Sequence, residues 1–175
     1  MTTYVALLHS IVLSPGRRVV MADLKAMAQT LGFADPRTLV ASGNLIFEAD
    51  QAPLATLENR LETAFRETFG KPVDIILRTE EAWKRLAAAN PYPGGDGANV
   101  CVRVMRKPLG APEFAMLERI ATPEIRLSFV NGDLWIDFRG KPSETKLLSH
   151  LTTKKLGIGT LRNANTVNGL AAMLG

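Results

Sequence analysis

The chain predicts an α+β fold built from two ferredoxin-like αβ plaits, and three observations carry that expectation. Thr38-Leu39-Val40-Ala41 and Leu45-Ile46-Phe47 flank Ser42-Gly43-Asn44. Apolar and β-branched runs on either side of a compact Gly/Asn turn are the sequence form of a tight hairpin. A strand and a helix precede this hairpin, and a helix and a strand follow it, so residues 3–78 read β-α-β-β-α-β. The second half repeats the logic around Asn131-Gly132, the strongest short hairpin signal a sequence offers. Antiparallel sheets with helices packed on one face are the expected architecture.

Taken in order, Thr3 to Leu8 is a continuous apolar run suited to a central strand buried on both faces. A long loop, His9 to Val20, carries the turn residues Ser14-Pro15-Gly16 and the pair Arg17-Arg18. Leu24, Met27, Ala28 and Leu31 share one helical face, and Gly32 stops that helix. Asp35-Pro36 leads into the hairpin. From Leu54 to Phe69, Leu54, Leu57, Leu61, Ala64 and Phe65 form an apolar stripe. Glu58, Arg60, Glu62, Arg66 and Glu67 lie mainly outside it. Gly70 ends this helix and Val73 to Leu77 supplies a strand.

A helix from Glu80 to Ala89 leads into Asn90-Pro91-Tyr92-Pro93-Gly94-Gly95-Asp96-Gly97, the best boundary signal in the chain. The expected units are residues 1–79 and 80–175. Val100 to Val104 reads as a strand, and Pro112 opens a helix at its first turn. Ile125 to Phe129 and Leu134 to Phe138 alternate as strands. Ser143 is expected to cap a helix running to about Leu156, with Gly157 as its stop. A last helix starts near Asn165 or Thr166 and runs to Leu174.

Composition bounds the function classes. At 175 residues, with 46% apolar and 22% charged content, the chain is long enough for a substantial core. No apolar run reaches the length of a membrane span. Met1-Thr2-Thr3 has no basic region ahead of an apolar one, so no secretory signal is expected. Cys101 is alone between Val100 and Val102, which suits a buried thiol in a reducing cytoplasm. His9 and His150 are the only histidines. No zinc site and no cofactor are expected.

Charge is uneven. Residues 1–90 hold ten basic and ten acidic side chains, whereas residues 91–175 hold eleven and seven, so the whole net +4 lies in the second half. From Arg139 onward, Arg139, Lys141, Lys146, Lys154, Lys155 and Arg162 face Glu144 alone. A basic segment on a neutral body is a candidate anion-binding face.

Catalytic motifs are absent: there is no GxxxxGK[ST], no GxGxxG and no G-x-S-x-G. The aromatic pattern of base-stacking RNA-recognition strands is missing too, and Tyr4 and Phe47 are expected to pack in the core. Three polar loops remain as candidate sites: Ser14 to Arg18, Arg139 to Ser143, and Thr160 to Thr166. Where such a loop enters a helix, free N–H groups and a basic side chain together suit phosphate or carboxylate. In the bland reading Ser143 and Asn165 are ordinary caps and Arg162 a structural hydrogen-bonder.

The third loop also carries a resemblance. Thr160-x-Arg162-Asn163-x-Asn165-Thr166-Val167 closely resembles the carboxy-terminal signature of the domain-of-unknown-function 1697 family. Tyr4-Val5-Ala6-Leu7-Leu8, Met21-Ala22-Asp23-Leu24, Leu31-Gly32-Phe33, Ser42-Gly43-Asn44 with Phe47, and Lys155-Leu156-Gly157 agree in the right order along the chain. The resemblance implies two interlocked ferredoxin-like halves and assigns no activity. Members usually carry an Arg-Gly-Ile-Asn-Val-Gly-Gly type loop after the first strand. Here His9-Ser10-Ile11-Val12-Leu13-Ser14-Pro15-Gly16 stands in its place, and Ala164 stands where an aromatic is common.

The expected function is a cytoplasmic, non-membrane binding module for a small anionic or phosphorylated ligand. Arg162, Lys141, Lys146 and Arg17 or Arg18 would supply charge, and Asn163 hydrogen bonds. Its rivals are non-specific nucleic-acid association through the basic carboxy-terminal segment, and an enzyme whose acid/base pair is assembled from Asp137, Glu144 and His150. A homodimer is compatible with all three.

Overall fold

The computed structural model describes residues 1–40 and 43–175. The chain divides into two compact units, Met1–Lys84 with Leu170–Gly175, and Arg85–Gly169.

The first unit begins with β1 (Thr2–Leu8), whose residues from Tyr4 to Leu8 are all buried. The loop read from His9 to Val20 contains a small two-stranded element, β2 (Val12–Ser14) and β3 (Arg17–Arg18). There follow α1 (Met21–Thr30), β4 (Ala34–Thr38), β5 (Asn44–Ala49), α2 (Leu54–Phe69), β6 (Ile75–Thr79) and α3 (Glu80–Ala88), whose residues from Arg85 belong to the second unit. The sheet order is β4-β5-β1-β6, with every neighbour antiparallel. Tyr4, Ala6, Leu8, Leu45, Phe47, Ile75 and Leu77 pack on one side against Leu24, Met27 and Ala28 of α1 and Leu57, Leu61 and Phe65 of α2. Tyr4 and Phe33 stack on Phe47 with ring centroids 5.6 and 4.4 Å away, so these aromatics are core, as expected.

Two details of this unit differ from expectation. The first hairpin strand lies at Ala34–Thr38 and not at Thr38–Ala41; Ala41 and Ser42 fall outside the described residues. β4 is an edge strand, which tolerates Pro36, and the ladder shifts register between Ala34 and Arg37, where Asp35 has φ 47°. On α2, Leu54 is exposed while Glu58 is buried, its Oε2 accepting a 3.0 Å hydrogen bond from the Leu77 amide. A carboxylate so close to a strand amide satisfies a donor that would otherwise be left buried.

In the second unit β7 (Val100–Met105) is buried at every residue. It is followed by α4 (Ala111–Ile120), β8 (Arg126–Val130) and β9 (Asp133–Asp137), then α5 (Thr153–Leu156), β10 (Gly159–Asn163) and α6 (Ala164–Leu174), the last residues of which belong to the first unit. The sheet order is β10-β7-β9-β8, again antiparallel throughout. Counted within its own sheet, each unit therefore runs fourth, first, third, second. Cys101, Met105, Leu134, Ile136 and Phe138 meet Leu117, Leu147, Leu151 and Leu156 in one cluster.

The helix expected from Ser143 to Leu156 is broken. Pro142–Glu144 and Leu147–His150 are short 3-10 turns, and only Thr153–Leu156 is α-helical. Thr145 Oγ1 donates to the Pro142 carbonyl and Ser149 Oγ to the Lys146 carbonyl, each at 2.8 Å. Hydroxyl side chains thus compete with the backbone ladder. Thr152 restarts the helix by accepting from the Lys155 amide. The stretch from Thr160 to Asn163, read as loop, is strand: its polar residues hide a ladder with β7.

The Asn131-Gly132 turn is as expected. Val130 pairs with Asp133, and φ is 51° and 89° at the two turn residues, the mirror-image turn that matches strand twist. A β-carbon at Gly132 would also stand 2.7 Å from Pro108 Cβ. Gly132→Ala should therefore cost about 1–3 kcal/mol, read as a lowered denaturation midpoint, whereas Asn131→Gly should be near neutral.

Candidate functional site

The six side chains proposed from sequence fall into different settings. Arg17 and Arg18 are exposed on β3 in the first unit; Arg17 lines a groove of about 470 Å3 with Asp23 and Glu67. Lys141 and Lys146 are exposed beside the 3-10 turns of the second unit. Arg162 and Asn163 end β10. Arg162 is 9% exposed, and its Nη1 donates to Thr160 Oγ1 at 2.8 Å and to the Leu161 carbonyl at 3.0 Å. Burial pulls its guanidinium down to about 10. Asn163 Oδ1 accepts from the Thr166 amide at 2.9 Å, so Asn163, and not Asn165, caps α6. Arg162 is thus bonded within its own strand, and Asn163 to the first turn of α6.

A second buried arginine escaped notice in the sequence. Arg103 on β7 is 2% exposed and donates to the carbonyls of Leu151 and Gly157 at 3.2 and 2.9 Å. Desolvation lowers its pKa. Its position one residue from Val102 and Val104, in the alternation of a strand, was the available signal. It ties the segment before β10 to the sheet.

The convergent charges lie elsewhere in the second unit. Asp137, at the end of β9, has a side chain only 4% exposed, and one carboxylate oxygen, Oδ2, takes ion pairs from Arg126 Nη2 and, at 3.5 Å, from Arg139 Nε. Its Oδ1 accepts from the Arg139 amide at 3.0 Å. Burial alone would raise the Asp137 carboxyl, but the Arg126 hydrogen bond, the Arg139 amide and both guanidinium charges outweigh it and hold the group below the usual carboxylate range. The two arginine side chains remain 43% and 53% exposed. Arg126 lies over the Tyr92 ring, 4.5 Å from its centroid, and the Tyr92 hydroxyl meets Ser128 Oγ at 2.6 Å. Arg126 supplied no motif in the sequence; only pairing with Asp137 across β8 and β9 brings it to Arg139.

A cleft of about 610 Å3 in the first unit is also polar. His9, Ser10, Glu62, Arg66, Lys71 and Asp74 are among its lining residues. Lys71 Nζ donates to the Val12 carbonyl at 2.9 Å and Glu62 Oε2 accepts from the Ile75 amide at 3.0 Å. Charges of both signs line it, so it offers no net attraction for an anion.

Of the groups weighed for acid/base work, Asp137 is held ionised by its arginines, which suits an anchor and not a proton donor. His150 Nδ1 lies against Lys155 Nζ. Among the described residues no group of three or more His, Cys, Asp and Glu could hold a metal ion, and no helix is long and apolar enough to cross a membrane. Burial pushes the Cys101 thiol up to about 12, so the folded protein should resist a thiol-labelling reagent at neutral pH and react on denaturation.

Asp137 has a folded-state pKa below its unfolded one. It therefore stabilises the fold above the unfolded value of about 3.9, and this contribution is lost as pH falls through the folded value. Asp137→Asn should cost about 1–3 kcal/mol at neutral pH. Melts taken down to about pH 3 should show the gap to wild type closing.

Comparison with known proteins agrees with this architecture. No curated protein matches the chain. A solved structure, that of the conserved bacterial protein SP0830 from Streptococcus pneumoniae, matches with a TM-score of 0.77 at 25% sequence identity, covering 99% of each chain. The family model described as "Protein of unknown function (DUF1697)" matches residues 1–135. The chain belongs to this DUF1697 family.

Proposed function

We propose that the protein is a binding module for a small anionic or phosphorylated ligand, and that Arg126 and Arg139 form its anion clamp. One observation carries this reading: two exposed guanidinium groups converge on a single buried carboxylate oxygen. Asp137 uses one Nη of Arg126 and the Nε of Arg139, and each guanidinium has five N–H donors in a planar fork. The outward donors suit the oxygens of a phosphate or carboxylate, which such forks bind bidentately. Two cations over one anion leave a net positive charge, and exposed Lys141, two residues beyond Arg139, adds to it.

Of the residues expected from sequence, exposed Lys141 would add charge beside the clamp, and Lys146 is exposed five residues further on. Arg162 and Asn163 are assigned to the fold, because their polar atoms are bonded within it. Arg17 and Arg18 belong to the first unit and are left to a separate role. The strand order of each unit supports reading residues 1–79 and 80–175 as two ferredoxin-like plaits. A lone buried Cys101 suits a cytoplasmic setting.

A thermal-shift series with inorganic phosphate, sugar phosphates and a short oligonucleotide tests the proposal. A ligand confined to the native state stabilises it by about 2.7 kcal/mol at a hundredfold excess over Kd. Arg139→Ala should leave Tm within a few degrees yet weaken the phosphate compound about tenfold, the worth of one charge-assisted hydrogen bond. Arg162→Ala should do the reverse, lowering Tm while keeping the ligand-induced shift. Full retention of binding in Arg139→Ala sinks the clamp, and a shift from the oligonucleotide alone, lost with salt, transfers the basic surface to nucleic acid.

A further inference from the structure

Beside the arginine pair lies a cleft of about 300 Å3, lined by Asn90, Tyr92, Gly95, Gly97, Asn165 and Asn168 among others. We infer that the ligand is a phosphorylated monosaccharide, with its phosphate on Arg126 and Arg139 and its single polyhydroxylated ring in this cleft; the inference rests on the anion clamp proposed above.

Two residues join the cleft to the clamp. Tyr92 lines the cleft and carries Arg126 over its ring at 4.5 Å. Gly95 lines the cleft, and a β-carbon there would stand 3.2 Å from Asp137 Oδ2, the oxygen both arginines share. Residues of the cleft lining thus touch both Arg126 and the carboxylate on which the arginines converge.

The walls are preformed. The Asn165 amide donates to the Gly97 carbonyl at 3.3 Å, and the two residues press so closely that a β-carbon at Gly97 would fall 2.1 Å from Asn165 Oδ1. The Tyr92 amide donates to Asn90 Oδ1 at 2.8 Å, which turns the Asn90 NH2 into the available donor. Asn165 and Asn168 are exposed, three residues apart on one face of α6.

Carboxamides offer a donor and an acceptor side by side, the pattern a sugar hydroxyl presents in return. A nucleobase fits less well, because Arg126 occupies a face of the one aromatic ring in the lining. Size agrees: ligand pockets run from about 300 to 1,000 Å3, so this cleft takes one ring and not a base with its ribose. A phosphomonoester carries about −1.5 to −2 charges at neutral pH, which the net charge of the clamp and Lys141 offsets.

Isothermal titration of the full chain with inorganic phosphate, a free hexose and the hexose 6-phosphate decides the matter. The hexose phosphate should bind about tenfold or more tightly than phosphate. Asn168→Ala, an exposed helical position where alanine favours folding, should remove most of that advantage while leaving phosphate affinity unchanged. Equal affinity for the two phosphates, or an Asn168→Ala variant that keeps the full advantage, overturns the sugar subsite and leaves the clamp standing provided Arg139→Ala weakens both. Binding of neither phosphate compound overturns the clamp and the subsite together, whereas a hexose phosphate that fails where inorganic phosphate binds overturns the subsite alone.

Discussion

Each unit hangs on a central strand without a solvent face. Tyr4 to Leu8 in β1 and Val100 to Met105 in β7 are buried along their length. A polar group in such a strand is costly to leave unsatisfied, each roughly by what a lost hydrogen bond is worth, and Arg103 Nε on β7 is one buried atom left without a partner. The consequence is visible wherever charge enters the interior. Glu58 is admitted because it receives a strand amide, and Arg103 because two carbonyls accept from it. Asp133 and Asp137 are admitted only at the ends of β9, where Asp133 Oδ1 takes the Met105 amide and Asp137 meets its arginines. The two aspartates of β9 thus sit at its ends, next to loops, which is where an adaptable site belongs.

Much of the architecture was legible because it rests on short-range rules. The α2 stripe, its Gly70 stop in the left-handed region and the Asn131-Gly132 turn are local features whose physics is complete within a few residues. What failed depended on partners far along the chain. Thr160 to Asn163 looked like a polar loop, since nothing nearby reveals that β7 supplies its ladder. Ser143 to Leu156 looked helical, but the hydroxyls of Thr145 and Ser149 found carbonyls three residues back and divided it.

The same division applies to the candidate site. Sequence showed an excess of basic residues after Arg139 and directed attention to Arg162, whose side chain is buried and bonded to its own strand. Local charge density says little about which cations converge. Arg126 stands thirteen positions before Arg139, and the antiparallel register of β8 and β9 alone sets Arg126 opposite Asp137. A carboxylate at the base of two guanidinium groups orients both while cancelling half their charge, a compromise between positioning and attraction. Without Asp137 the two arginines would repel each other and spend rotamer entropy on meeting a ligand.

The contact between Gly97 and Asn165 bears on how such a protein changes over evolutionary time. The loop carbonyl accepts the helix amide, and no space remains for a β-carbon facing the asparagine oxygen. A side chain gained at 97 would therefore turn the Asn165 carboxamide, the far end of an exposed and rotatable side chain, to another rotamer. Drift at 97 would thus reach the wall of the cleft through the rotamer of Asn165, while the backbone bond between loop and helix stays in place.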